Sequence, residues 1–191
     1  DKATVSGTMP ANDVVETVTY TKRSDLTYTV NYYWNGTTEP LAPSKVVTGQ
    51  TFGEEVTEEP INVNGYTVVE ADEQGLTITT GEDVINFYYY KNVELTANSK
   101  TETYNGAEQS VSGFTGAPEG ADFSAITVGA KGTDAGKYDA AFAEGTVGAI
   151  DGTKKYIVTV ATDGKLTITK RAVTLTSGSA EKVYDGTALT N

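Results

Sequence analysis

The sequence predicts a mostly-β protein built of tandem, elongated modules, and three observations carry that expectation. Thr, Val and Tyr suit a pleated, half-buried surface; they recur throughout, and 20 glycines punctuate them. The stretch LTYTVNYYW alternates. Leu26, Tyr28, Val30, Tyr32 and Trp34 fall on one face, and Thr27, Thr29, Asn31 and Tyr33 on the other. No window of about fifteen residues keeps a helical period. That leaves room for at most one short helix, around Gly53 to Glu59.

The elements follow in order. Asn35-Gly36 turns the chain after the first strand. SKVVTG and YTVVEA read as strands, and GLTITTGEDVINFYYYK as two more that turn at Gly81 to Asp83. Along the last of these, Ile85, Phe87 and Tyr89 form the expected core set. Asn86, Tyr88 and Tyr90 then face the other way. Further on, VELTA, EQSVSGF, AITVGA, KYDAAFA, YIVTVA and KLTITK read as strands. Asn105-Gly106, Asp151-Gly152 and Asp163-Gly164 mark turns between them.

The chain repeats itself. At a fixed offset of 80, NVELTANSKTETYNGAEQS lies over AVTLTSGSAEKVYDGTALT without a gap. Val93 meets Val173, Leu95 meets Leu175, Thr96 meets Thr176, Ser99 meets Ser179, Tyr104 meets Tyr184 and Gly106 meets Gly186. Asn105 meets Asp185, which keeps the turn chemistry. Residues 92–171 therefore read as one unit and 172–191 as the start of the next. NDVVETVTYTK (12–22) is similar to EDVINFYYYK (82–91), so 1–22 reads as the last strand of a preceding unit and 23–91 as a unit of the first type. The boundary near Lys91 has no Gly/Ser linker, which predicts a fairly stiff join.

Composition excludes much chemistry. With no Cys there is no disulfide, zinc thiolate or Cys nucleophile; with no His there is no His-dependent triad and no imidazole metal site. The net charge is -12, and residues 23–91 carry eleven acids against three bases. Such a surface repels nucleic acid and anionic lipid, so neither is an expected partner. No apolar run reaches the roughly 20 residues of a membrane-spanning helix, so no membrane insertion is expected. Carboxylates pair at Glu54/Glu55, Glu58/Glu59, Asp72/Glu73 and Glu82/Asp83. A glycosidase needs two on opposite sides of a cleft, and nothing in the sequence selects such a pair. The acidic loop 71–75 offers oxygen ligands but lacks EF-hand spacing. No catalytic, metal or cofactor site is expected, and the chain reads as a non-enzyme.

Two family resemblances cover most of the chain. YTVNYYWNGTTEPLAPSKVVTGQTFGEEV, INVNGYTVVEAD and VINFYYYK together resemble the MucBP (mucin-binding protein) repeat of Gram-positive surface adhesins over residues 25–91. Where that family often carries Asp after its first strand, this chain has Trp34-Asn35-Gly36. TYNG, GTDAGKYDAAFA and YIVTVATDGKLTITKR resemble YDG or MBG-type repeats over residues 92–171. The resemblance implies a β-grasp-like (ubiquitin-like) first module and a β-grasp-like or sandwich-like second one. It implies an extracellular protein attached to a cell wall, monomeric within its array. The function it implies is a stalk or spacer with weak affinity for host mucin glycans or other extracellular carbohydrate or protein. The alternatives are a carbohydrate-binding module proper and an accessory domain of a large cell-surface enzyme.

Four aromatic residues are candidate glycan contacts. Trp34, the single Trp, reads either as a stacking platform for a sugar ring or as a strand-end cap on the core. Tyr88 and Tyr90 share a face, and Tyr33 joins them if the first and last strands of the module are neighbours. The result is either an exposed aromatic patch or a surface packed against the next module. In a chain without Cys, a Lys-to-Asn or Lys-to-Asp isopeptide bond is a further route to mechanical stability, with Lys45, Lys91, Lys100 and Lys170 as candidate lysines.

Overall fold

The computed structural model describes residues 7–8 and 17–188. The protein is mostly β, and no helix occurs among the described residues. The strands are β1 (Leu26–Trp34), β2 (Lys45–Gln50), β3 (Glu55–Glu58), β4 (Tyr66–Val68), β5 (Gln74–Thr77) and β6 (Asp83–Ala97). They continue with β7 (Lys100–Thr103), β8 (Gln109–Ser112), β9 (Phe114–Thr115) and β10 (Gly129–Gly132). β11 (Gly136–Ala140), β12 (Tyr156–Thr162) and β13 (Gly164–Thr169) complete the set. Contacts divide the chain into two compact units. The first holds the described residues up to Tyr33, Glu39–Ile61 and Glu70–Tyr88; the second holds Trp34–Thr38, Asn62–Val69 and the described residues from Tyr89 onward. The strand expected at 12–22 lies, for residues 12–16, outside the described residues; 17–22 carry no strand.

In the first unit β1 pairs antiparallel with β2, Val30 opposite Lys45 and Tyr28 opposite Val47, with a register shift between Leu26 and Thr27. β6 lies on the other side of β1. Leu26, Tyr28, Val30 and Tyr32 are buried, as are Ile85 and Phe87. The Tyr32 and Phe87 rings stack with centroids 6.1 Å apart. Period-2 alternation therefore puts both apolar sets inside.

The segment that left room for a short helix, Gly53 to Glu59, forms a strand over Glu55–Glu58. Gly53 has φ +79, a left-handed conformation that breaks a right-handed turn. After it Glu55–Glu58 pairs antiparallel with Gln74–Thr77. The backbone is closed further by Gly53 N–H donating to the Ile78 carbonyl and Ile78 N–H to the Glu54 carbonyl. Val56 and Glu58 are half-buried while Glu55 and Thr57 are exposed, which is strand periodicity rather than helix periodicity.

The second unit mixes parallel and antiparallel pairs. β12 runs parallel to β6, Val158 opposite Val93, with a register shift between Val158 and Val160. β13 runs parallel to β7, Leu166 opposite Lys100, and antiparallel to β11. β8 pairs antiparallel with β10, β4 with residues 89–91 of β6, and β9 with its end. One buried cluster holds Val93, Leu95, Phe123, Tyr156 and Val158; another holds Ala97, Val111, Val128, Ala140, Leu166 and Ile168. Phe114 and Phe142 pack against both, with ring centroids 6.0 Å apart.

Two of the turns that the sequence marks join strands of different sheets. Asn105-Gly106 and Asp163-Gly164 carry the chain between strands of different sheets: β7 pairs with β13 and β8 with β10, while β12 pairs with β6. At Gly164 the reason for glycine is proximity. A Cβ there would run into the carbonyl oxygens of Ala97 and Asn98. Backbone cannot yield as a side-chain tip does, so Gly164→Ala is expected to cost the second unit about 1–3 kcal/mol, the usual cost of overpacking. Urea unfolding followed by circular dichroism checks this; an unchanged midpoint would refute the close approach.

Candidate functional site

The alternation along β1 and β6 decides where the candidate aromatics go. Tyr33 and Tyr88 both belong to the first unit and come together, ring centroids 6.1 Å apart and tilted by 35°. Tyr88 is 39% exposed and Tyr33 half-buried. Beside them, Asn31 donates its amide to Asn86 Oδ1 at 3.0 Å and accepts from Ser44 Oγ at 2.6 Å. The outward face thus presents two phenol rings flanked by amides and a hydroxyl. That combination suits a ligand with apolar faces and hydroxyl edges.

Trp34 and Tyr90 belong to the second unit. Tyr90 is half-buried on β6 opposite Thr67 of β4. Trp34 is half-buried and packs edge-on against Tyr156, centroids 5.6 Å apart at 74°. Its indole Nε1 donates to the Lys155 carbonyl at 2.9 Å, and the Lys155 ammonium sits 5.7 Å from its ring centroid. The adjacent turn is closed by Thr37, whose N–H and hydroxyl both donate to the Trp34 carbonyl, with Gly36 at φ +70.

Asp151, which the sequence marks only as a turn residue, organises this corner. It is 3% exposed. Its carboxylate accepts from the backbone N–H groups of Asp122, Thr153, Lys155 and Tyr156 and from the Thr153 hydroxyl. Burial pushes its pKa up, but the Thr153 hydroxyl and the backbone donors outweigh it, and the net shift is downward. The loop so held places Lys154 at φ +57 and aims two carbonyls at the Trp34 corner. Lys155 O accepts from Trp34, and Lys154 O from Asn35 Nδ2 at 2.7 Å. Asp151→Ala should therefore cost the second unit about 1.5–3 kcal/mol, the range for hydrogen bonds to a charged group. The single Trp should also emit at longer wavelength. Denaturant unfolding with Trp34 fluorescence reads both; unshifted emission would separate Asp151 from this corner.

A second polar centre lies in the first unit. Tyr28 Oη donates to Glu58 Oε1 at 2.6 Å, and Lys45 Nζ reaches both Glu58 oxygens at 2.6 and 2.7 Å. The Glu58 side chain is only 11% exposed. Burial raises its pKa, yet the hydrogen bonds from Lys45 and Tyr28 and the Lys45 charge bring the net shift below the ordinary 4.5. The same hydrogen bond, with burial and the Glu58 charge, pushes Tyr28 up to about 12. The signs follow by linkage. Glu58 contributes stability above its unfolded pKa, lost as pH falls below 4.5 through the depressed folded value. Tyr28 contributes stability below 10, lost as pH rises from there to about 12. In Glu58→Gln both limbs should flatten in thermal melts across pH; limbs identical to those of the unsubstituted protein would exclude the pair as their source.

The other predicted residues disperse. Asp83 is buried and accepts from the Thr79 N–H and hydroxyl. Lys100 pairs with Glu102, and Lys91 and Lys170 are exposed. No three Asp or Glu side chains converge as a metal site among the described residues. Tyr20, Thr21, Lys22, Arg23, Phe52 and Thr80 line an open depression of about 320 Å³ that the sequence reading does not single out. No family model matches the chain, and comparison with curated proteins and with solved structures finds no match either.

Proposed function

We propose that this chain is a non-catalytic repeat segment of a bacterial cell-surface adhesin of the MucBP type. It acts outside the cell, attached to the wall, as a stalk or spacer. In this reading the first unit is β-grasp-like and the second is β-grasp-like or sandwich-like. The observation that carries it is the gapless sequence repeat at offset 80, since arrays of similar units serve chiefly to extend and display. The absence of Cys and His and the acidic surface are in keeping with a structural role rather than redox or acid–base chemistry.

A second reading, a carbohydrate-binding module proper, is favoured by the Tyr33–Tyr88 pair. Two phenol rings held 6.1 Å apart on an outward strand face form a platform for the apolar face of a sugar ring. One such contact is weak, and repetition along an array multiplies it through effective concentration. Trp34 and Tyr90 enter this reading only as neighbours on the same two strands.

The test is binding of the densely immobilised protein to mucin and to a glycan array. Saturable binding is expected. Tyr33→Ala/Tyr88→Ala should reduce it at least about tenfold, equivalent to roughly 1.4 kcal/mol, while Phe52→Ala leaves it intact. Loss with Phe52→Ala instead would move the contact to the depression beside Lys22 and Arg23. No binding at any density would remove the glycan reading and leave the spacer reading.

A further inference from the structure

Residues 172–188 carry the sequence pattern of residues 92–108, yet the two copies stand in opposite surroundings. In the first copy Val93 and Leu95 are 4% and 0% exposed and cluster with Phe123, Tyr156 and Val158. Their strand pairs in parallel with β12, and Lys100–Thr103 pairs in parallel with β13. In the second copy Val173 is 83% exposed, Leu175 93%, Val183 90% and Tyr184 92%, and no strand forms over 172–188. Four large apolar side chains left this open within twelve residues form a surface without its complement.

The turn that ends the segment is nevertheless the same in both copies. Asn105 Oδ1 accepts from the Ala107 N–H at 2.9 Å, and Asp185 Oδ1 accepts from the Thr187 N–H at 2.9 Å. Gly106 has φ +82 and Gly186 φ +84. Local chemistry thus builds the Asx turn in each copy without help. What differs is the long-range pairing, which local sequence cannot supply.

We propose that residues 172–188 are a docking segment for a second copy of the closing strands, of the type Tyr156–Thr162 followed by Gly164–Thr169. The β12 and β13 of the same unit already hold residues 91–96 and 100–103, so the occupant is another copy. The register of the first copy carries over by the offset of 80. The residue equivalent to Val158 lies opposite Val173, and those equivalent to Leu166–Thr169 lie opposite Ala180–Val183. The occupant needs glycine where this unit has Gly164, because carbonyls 177 and 178 would close on that position as Ala97 and Asn98 do here. The inference deepens the repeat reading and is independent of the glycan reading, so failed glycan binding leaves it standing.

Two altered forms of the 191-residue chain test it by hydrogen exchange with mass spectrometry. In one, residues 92–108 are replaced by the sequence of 172–188; in the other, residues 109–171 are appended after residue 188. Protection at positions 93–95 and 100–103 should persist in the first, with Tm lowered by no more than about 10 °C. Amides 173–175 should slow at least about 100-fold in the second as pairing forms. A composition-matched scramble of 172–188, placed in either position, should give no protection. Exchange as fast as the scramble's in either chain would overturn the proposal, and so would a scramble that is itself protected.

Discussion

The whole structure depends on one strand keeping a period of two over fifteen residues. Along β6 the odd-numbered residues from Asp83 to Ala97 are buried, with Lys91 as the exception. Residues 83–88 give Ile85 and Phe87 to the first unit, and 89–97 give Tyr89, Val93, Leu95 and Ala97 to the second. Because side chains alternate strictly, a slip of one residue would expose this entire set and bury Tyr88, Tyr90, Glu94 and Thr96. Each polar or aromatic residue on the even side is therefore fixed in direction by its apolar neighbours. The Tyr33–Tyr88 pair exists because Tyr32 and Phe87 stack on the opposite face.

Alternation is a local signal, and the parts of the fold that rest on it were legible. β1, β2, β6, β12 and β13 emerge near where apolar periodicity places them, and so does the direction of Tyr88 and Tyr90. β3 and β7 were not, because EVTE and KTET are short and polar and acquire strand character from partners distant in sequence. The strand read as AITVGA begins at Gly129, where pairing with Ser112 starts. Asn-Gly and Asp-Gly pairs announce a change of direction but not its destination. The same dipeptide closes a hairpin or passes the chain to another sheet.

The candidate site divides along the same line. Tyr33 meets Tyr88 because neighbouring strands fix both. Trp34, one residue further on, takes its environment from Lys155 and Tyr156, more than a hundred positions away, and no spacing rule reaches that far. Asp151 was hidden for a related reason. Asp-Gly-Thr reads as a turn in any sequence, and only the fold shows four backbone N–H groups converging on that carboxylate. A buried anion satisfied by so many donors holds a loop as firmly as a packed side chain does.

The parallel pairs of the second unit set the order in which it can form. Lys100–Thr103 has no hydrogen-bonding neighbour in its sheet until Leu166–Thr169 has been made, and Val93 waits for Val158. Such pairing closes long loops before any contact repays their entropy, which slows folding. In chain order these two parallel pairs therefore close only when almost the whole unit is present. Formation of the second unit is accordingly governed by its longest-range pairings, those that join its early strands to its closing ones.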